Sequence, residues 1–267
     1  MLVLDALNFC FWPSDTAIEY DTLATVLTRV LTADPAAFAA ERLAAVTGEQ
    51  LTAWFAAAGH HLPNADERAR KLREVGTMLA ARYGGLVATM VAEAAGSAVA
   101  LVRAVVAAFP GFRDEAVYRG RQVFLYKRAQ IFVADLWAAY GQRATGTSPY
   151  AFTDVHALTC FADYRIPQLL RALGVMTYSP ALAAAVDART PLAPGSEWEV
   201  EVRACTVEAV ERLLRSVAER RAAAGAVAGA AVLPPLHSIH LDWLLWQEGE
   251  ALKDTLAPHH RTLTVFY

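Results

Sequence analysis

Apolar residues recur at helical spacing along most of this chain, and glycine and proline separate the helical segments. The run Asn64–Tyr83 alternates charged and apolar residues with a helical period, and Gly84 and Gly85 follow it, as expected at a helix end. The spacing of Asn64 and Glu67 is that of a capping box. The pattern therefore predicts a mainly α fold, a compact helical domain with a few short β-strands.

The chain carries enough apolar surface for a large buried core. Of its 267 residues 55% are hydrophobic, and the mean hydropathy is +0.27. The most apolar stretch, Gly85–Phe109, is interrupted by Glu93 and Arg103, which favours buried helices over a membrane span. Because no long polar spacer divides the sequence, residues 1–267 are predicted to form a single domain, built as one core or as two intimately packed lobes.

Cysteine usage and the N-terminus both indicate a cytoplasmic protein. The segment after Met1 lacks the basic and apolar regions of a secretion signal. Cys10, Cys160 and Cys205 are odd in number and have no metal-ligand spacing, so each is predicted to be a reduced, buried thiol. His237 and His240 lack further ligands nearby, and no metal is predicted.

Five further segments are predicted from local patterns. A long helix is expected over about 115–140. Two short helices are expected to meet near Asp163–Pro167 as a tight helical hairpin, since proline disfavours helix before it and starts a helix well. Glu199–Arg203 alternates like a strand but also fits a helix entry, and His237–Trp246 is predicted to be the last helix. Residues 222–235 are predicted to form a surface link.

The segment from Asp163 to Gln168 is the strongest candidate for a working centre. It places the carboxylate of Asp163, the phenol of Tyr164 and the guanidinium of Arg165 at a helix break, where backbone donors are also available. The structural alternative is an ion pair between Asp163 and Arg165, with Tyr164 in the core. Nucleotide-binding glycine loops, a nucleophile-elbow serine and zinc-ligand clusters are absent from the sequence.

Three other groups of polar residues have both a functional and a structural interpretation. Lys127 could bind a phosphate or lie on a solvated helix face. Asp5 and Asn8 stand among aromatic residues, which suits either a bound heterocycle or a docked N-terminal segment. Asp242 lies in an apolar helix, where a buried carboxylate needs a partner or a ligand.

Five of these segments, in this order, resemble the queuosine salvage proteins. The resemblance covers nearly the whole chain and includes the Phe109–Asp114 segment. The matching segments are Leu4–Trp12, Tyr126–Gln130, Phe161–Gln168, Glu199–Arg203 and Leu241–Trp246.

The resemblance implies a queuosine 5′-monophosphate N-ribosyl hydrolase that releases queuine for reuse in tRNA, on a fold similar to helix-hairpin-helix DNA glycosylases. It implies Asp163 as the catalytic carboxylate and Lys127 as the binder of the 5′-phosphate, without a cofactor. Queuine is a 7-deazaguanine, so carbon replaces the purine N7 and the leaving base must be stabilised through its remaining polar edge. The expected substrate contacts are Asp5, Asn8, Phe9, Phe161, Tyr164, Arg165, Glu201, Arg203, Asp242 and Trp246.

Two other classes of function were weighed against this enzyme. A non-catalytic nucleic-acid binder of the helix-hairpin-helix type is disfavoured by the net charge of −3. A helical interaction scaffold would leave the polar residues of the helix break without a ligand. The expected partners are therefore the nucleotide and its base product, with no stable nucleic-acid complex and no membrane.

Overall fold

The computed structural model describes residues 1–12, 18–142, 148–225 and 234–267. In these ranges the chain forms twelve α-helices and one two-stranded sheet, which confirms the mainly α class. Two compact units are present. The first comprises Met1–Asp114, Arg128–Thr153 and Thr264–Tyr267, and the second comprises Glu115–Lys127 and Asp154–Leu263. The likeness to helix-hairpin-helix glycosylases and the single domain stay predictions.

The first unit is built around one central helix, α5, which contacts four other α-helices in the described ranges. Gly76 of α5 allows the closest of these contacts, because a Cβ there would lie closer than 3.0 Å to backbone atoms of Ala40 and Ala44. The bounds of the helices are α1 Leu2–Leu7, α2 Tyr20–Ala33, α3 Ala40–Ala45, α4 Gly48–Ala56, α5 Ala65–Tyr83, α6 Val87–Glu93, α7 Ala98–Ala108 and α8 Lys127–Leu136, the last continued by a π-helical turn at Trp137–Gly141.

The apolar stretch 85–109 forms α6 and α7, and most of its large side chains are buried. The prediction of buried helices is confirmed. No single helix in the described ranges is both long and apolar enough to cross a membrane.

Two buried arginines hold the N-terminal segment of the first unit. Arg68 of α5 donates hydrogen bonds to the carbonyls of Leu7, Phe9 and Cys10, and also to Pro63. Arg128 of α8 donates to the carbonyls of Asp5, Ala6 and Gly111. Burial lowers the pKa of Arg128 to about 10, still well above neutral pH. Both arginines therefore fix the backbone of the segment, and Arg128 does so while charged.

The long helix predicted over 115–140 is wrong in its first half. Residues Glu115–Tyr118 and Arg121–Phe124 form an antiparallel hairpin, β1 and β2. The two turn residues, Arg119 and Gly120, both have positive φ, as a two-residue hairpin turn requires. Tyr126 also has positive φ, and α8 starts only at the next residue. These left-handed residues, which the apolar spacing did not reveal, prevent a continuous helix.

The second unit contains the hairpin and four helices: α9 Arg165–Ala172, α10 Pro180–Asp187, α11 Glu197–Gly225 and α12 Ser238–Leu252. Glu199–Arg203 lies within α11, so the helical alternative is the correct one. The predicted link 222–235 begins as the end of α11, and residues 226–233 lie outside the described ranges. The predicted last helix is confirmed as α12, where His237 donates its backbone N–H to Nδ1 of His240.

The predicted helical hairpin around Asp163 is also wrong. Only a 3-10 turn at Val155–Ala157 precedes α9, and residues 158–163 have no regular structure. Arg165 begins α9, so Pro167 lies in its first turn, where a missing N–H costs no helical hydrogen bond. Asp163 therefore stands at the end of an irregular segment that enters a helix.

Two smaller predictions, the capping box at Asn64 and the burial of Cys205, are wrong. Asn64 adopts a left-handed conformation with φ 53°, and its side chain makes no capping hydrogen bond, so the capping box is absent. Cys205 is exposed, whereas Cys10 and Cys160 are buried as predicted.

The position of Arg68 yields a prediction about stability. The Arg68→Met substitution removes the hydrogen bonds that the guanidinium donates to four buried carbonyls, and buried acceptors that lose a donor are costly. We expect the free energy of unfolding, measured in urea, to fall by about 3 kcal/mol or more. Arg70→Met in the same helix is the control. Because Arg70 forms only an exposed pair with Glu67, its loss should cost less than about 1 kcal/mol. Equal losses in the two variants would contradict the role of Arg68.

Candidate active site

The carboxylate of Asp163 is buried and held by the start of α9. Its Oδ1 accepts hydrogen bonds from the backbone N–H groups of Arg165, at 2.8 Å, and Ile166, at 3.1 Å. These N–H groups have no partner inside the helix, so a carboxylate oxygen satisfies them well. Within the described residues Oδ2 accepts no hydrogen bond. One oxygen of the carboxylate is thus fixed by the start of the helix.

Side chains from α11 and α12 bind the backbone just before Asp163. Oδ1 of Asp242 accepts from the N–H of Phe161 at 2.7 Å. Nε of Arg203 donates to the carbonyl of Ala162 at 2.9 Å, and its Nη1 donates to Glu199 at 3.1 Å. All three charged side chains are buried. The irregular segment before α9 is therefore anchored on two sides.

The pKa of the buried Cys160 thiol reflects the charges that lie near Asp163. Burial raises the pKa of its thiol well above the usual value, and the nearby carboxylates of Asp242 and Asp163 raise it further. Asp163 and Asp242 therefore both lie close enough to Cys160 to raise the pKa of its thiol. The Arg203 guanidinium offsets part of this effect.

Arg165 does not pair with Asp163, so the predicted structural alternative of that ion pair is wrong. Nε of Arg165 donates to Glu250 of α12 at 2.6 Å, and its Nη1 donates to Gln168 at 2.7 Å. Gly249 makes this arrangement fit, since a Cβ there would lie 2.9 Å from Cγ of Arg165. The guanidinium thus connects α9 to α12 and leaves the Asp163 carboxylate to the helix terminus.

Tyr164 is half-buried and stacks on His259, with ring centroids 4.4 Å apart. Nδ1 of His259 lies 2.7 Å from the carbonyl of His260 and must carry a proton, because a carbonyl only accepts. Burial, with a smaller contribution from Arg165 and other nearby cations, lowers the pKa of His259 to about 4, although the hydrogen bond to the His260 carbonyl acts in the opposite direction. At neutral pH the stacked ring is therefore uncharged.

The apolar walls expected around the base fall within the second unit. Phe161 is buried. Trp246 is partly buried and packs against a cluster of buried residues contributed by the segment before α9 and by α9, α11 and α12. This cluster consists of Cys160, Ile166, Leu170, Val210 and Leu241.

Glu201 lies apart from the groups that hold Asp163. It accepts a hydrogen bond from the hydroxyl of Tyr118 in β1 and lies 3.5 Å from the guanidinium of Arg119. It also lines a cavity of about 600 Å³ together with Trp198 and Met176, and Asp163 is not among the residues that line this cavity. The structure thus places Glu201 with the hairpin and the cavity.

Lys127 is buried, at 7% exposure, and begins α8 directly after the left-handed Tyr126. The solvated-face alternative is therefore wrong for this lysine. The hydroxyl of Tyr126 donates to Glu115 in β1 at 2.8 Å, so the hairpin fixes the residue that precedes Lys127.

Asp5, Asn8 and Phe9 belong to the first unit, and all three are buried. The Phe9 ring lies between the guanidinium groups of Arg68 and Arg128, at 4.3 Å and 5.1 Å. Asp5 contributes to raising the pKa of Tyr20, although burial is the larger cause. For Phe9 these contacts favour a docked N-terminal segment over a wall for a bound heterocycle.

Sequence reasoning missed three residues that support this region: Glu199, Glu250 and His259. Each acts on a residue that was predicted, namely Arg203, Arg165 and Tyr164. Glu199 had a local signal, because its spacing of four from Arg203 suits a helical ion pair. Glu250 and His259 are more than 80 residues from their partners and had none.

The family model described as queuosine salvage protein matches residues 1–267 of this chain. The chain belongs to this family. The resemblance found in the sequence motifs is thereby confirmed across the full length.

Relatives from distant organisms agree with this assignment, and each is named queuosine 5′-phosphate N-glycosylase/hydrolase. The Dictyostelium discoideum protein is 46% identical over 267 residues, which cover 100% of this chain and 77% of the relative. The Sphaerobacter thermophilus protein is 44% identical over 276 residues, covering 100% and 80%. The Mus musculus protein is 32% identical over 286 residues, covering 100% and 81%.

The histidines of this queuosine salvage family member predict an acid-sensitive fold. Burial lowers the pKa of His259 to about 4 and that of His260 to about 3, whereas an unfolded histidine titrates near 6.5. Below about pH 6.5 the unfolded chain takes up protons that the folded chain does not. The contribution of the two histidines to the free energy of unfolding is therefore fully present above about pH 6.5. It is lost as the pH falls through about 4 for His259 and about 3 for His260.

The test is the Tm of the His259→Phe variant, in which the ring can still stack on Tyr164 but cannot titrate. We expect the drop in Tm between about pH 7.5 and about pH 5 to be smaller than in the unsubstituted protein. The exposed His60, changed to Gln, serves as control and should leave the drop unaltered. The same drop in His259→Phe as in the unsubstituted protein would rule out this histidine as a cause.

Proposed function

We propose that this chain hydrolyses the N-glycosidic bond of queuosine 5′-monophosphate and releases queuine for salvage into tRNA. The relatives named queuosine 5′-phosphate N-glycosylase/hydrolase support this substrate and reaction. In the reaction the bond between C1′ and the base nitrogen breaks, and a water oxygen bonds to C1′. The base takes up a proton, so the products are queuine and ribose 5-phosphate.

The geometry of Asp163 is the observation that carries the proposal. Its Oδ1 is bound by two N–H groups at the start of α9, and its Oδ2 accepts no hydrogen bond within the described residues. A carboxylate fixed through one oxygen can present the other to a substrate without reorganising, which is what electrostatic stabilisation of a transition state requires.

Asp163 suits the charge that develops in this reaction. As the glycosidic bond lengthens, positive charge builds on the ribose, and a fixed carboxylate beside C1′ stabilises it. The same carboxylate can orient the attacking water or accept its proton. Since queuine has carbon in place of N7, that position cannot be protonated. Bond cleavage therefore depends more on stabilising the positive charge of the ribose and on contacts to the remaining polar edge of the base.

We further propose Lys127 as the ligand of the 5′-phosphate, because a lysine binds phosphate as a point charge and α8 begins at this residue. The proposed contacts to the rest of the substrate are Asp5, Asn8, Phe9, Phe161, Tyr164, Arg165, Glu201 and Trp246, as expected from the sequence. Arg203 and Asp242, also expected there, bind the backbone that precedes Asp163.

The proposed partners are the nucleotide and its base product. A net charge of −3 argues against a stable complex with nucleic acid. The three cysteines, none of which forms a disulfide within the described residues, are consistent with a cytoplasmic location, which we include in the proposal.

The decisive experiment is release of queuine from queuosine 5′-monophosphate, followed by chromatography, in the Asp163→Asn variant. Asparagine can still accept hydrogen bonds from Arg165 and Ile166, so α9 keeps its cap while the negative charge is lost. We expect kcat to fall by at least about 10³-fold with Tm nearly unchanged. Turnover equal to that of the unsubstituted protein would exclude Asp163 as the catalytic residue.

Lys127→Ala tests the phosphate contact. We expect KM for the 5′-monophosphate to rise at least about tenfold, with little change in kcat and no comparable change for the nucleoside, because only the monophosphate carries the group that Lys127 binds. Arg121→Ala, which removes an exposed cation from β2, is the matched control and should alter neither constant. Equal losses on nucleotide and nucleoside would contradict the phosphate role.

A further inference from the structure

We infer that Asp242 and Arg203 are positioning residues for Asp163, acting through the backbone of Phe161 and Ala162 rather than by binding substrate. This inference rests on the proposed function of Asp163. The two residues, which the sequence analysis placed among the substrate contacts, would then hold the backbone that precedes Asp163.

The first contact comes from α12. Oδ1 of Asp242 accepts the N–H of Phe161 at 2.7 Å, and the side chain is only 4% exposed. A charged acceptor makes this a stronger hydrogen bond than one between neutral groups. The peptide group that joins Cys160 to Phe161 is thereby held to α12.

The second contact comes from α11. Nε of Arg203 donates to the carbonyl of Ala162 at 2.9 Å. This carbonyl belongs to the peptide group that joins Ala162 to Asp163, so Arg203 fixes the peptide adjoining the catalytic residue. Glu199 orients the guanidinium through Nη1, and its other oxygen accepts the N–H of Gly195.

Residues 158–163 have no regular structure, so secondary structure does not fix the position of Asp163 from its N-terminal side. Asp242 and Arg203 supply that restraint, while the first turn of α9 supplies it from the C-terminal side. Displacing a reacting group by about 1 Å can reduce the rate about 100-fold. Loss of either restraint should therefore reduce kcat without weakening substrate binding.

The test compares Asp242→Ala with Asp242→Asn in the queuine-release assay. Asparagine still offers an oxygen to the N–H of Phe161, whereas alanine does not. We expect Asp242→Ala to lose about 100-fold in kcat with KM within about twofold, and Asp242→Asn to keep kcat within about fivefold. Glu248→Ala removes an exposed carboxylate from the same helix and is the control.

The outcomes separate this inference from the proposed function. No queuine release by the unsubstituted protein would overturn the proposed function itself. Release by the unsubstituted protein, with kcat retained in Asp242→Ala, would overturn only the positioning role. A raised KM in Asp242→Asn with unchanged kcat would identify Asp242 as a substrate contact instead. Because asparagine preserves the hydrogen bond, this last measurement decides the matter even if Asp242→Ala fails to fold.

Arg203 is tested in the double variant Glu199→Gln/Arg203→Met, which avoids leaving a buried carboxylate without its cation. We expect the same signature, with kcat reduced about 100-fold and KM little changed. Glu199→Gln alone is the reference, because it leaves the hydrogen bond of Arg203 to Ala162 in place, and its kcat should lie above that of the double variant. Unaltered kcat in the double variant would remove Arg203 from the positioning role.

Discussion

Buried charged side chains that bind main-chain groups hold together the irregular parts of this chain. Transfer of a charge from water into the interior is costly unless hydrogen bonds replace those to water. Arg68 and Arg128 meet this requirement with backbone carbonyls of the N-terminal segment, and Asp242 and Asp163 meet it with backbone N–H groups around α9. Each charge is stabilised by the segment that it fixes, so burial and order support each other.

This constraint explains how an irregular segment can hold Asp163, the proposed catalytic group, in a fixed position. A helix or strand would satisfy its own backbone and would direct side chains by its regular geometry. Residues 158–163 lack that regularity, and their backbone groups are bound instead by Asp242 and Arg203 from two separate helices. The segment can then turn Asp163 toward a ligand and still hold it in place, which pre-organisation of a site requires.

The sequence was informative where the determinant was local. The end of α5 at Gly84 and the position of α12 both follow from residues within a few positions. The hairpin was missed because its determinant, positive φ at Arg119, is not encoded in apolar spacing. At the site, the position of Asp163 at a helix entry was predictable. The pairing of Arg165 with Glu250, 85 residues away, was not, because it depends on the tertiary packing of α9 on α12.

Two buried carboxylates near Cys160, those of Asp163 and Asp242, each bind backbone N–H groups through Oδ1. Oδ1 of Asp242 binds the N–H of Phe161, a group with no helical partner, so moving that oxygen toward a substrate would leave a buried donor unsatisfied. Oδ1 of Asp163 is bound in the same manner, but its Oδ2 accepts no hydrogen bond within the described residues. Asp163 can therefore interact with a developing ribosyl cation without giving up a structural contact. A 7-deazapurine cannot be protonated at the position of N7, so its departure relies more heavily on such a preset charge at the sugar.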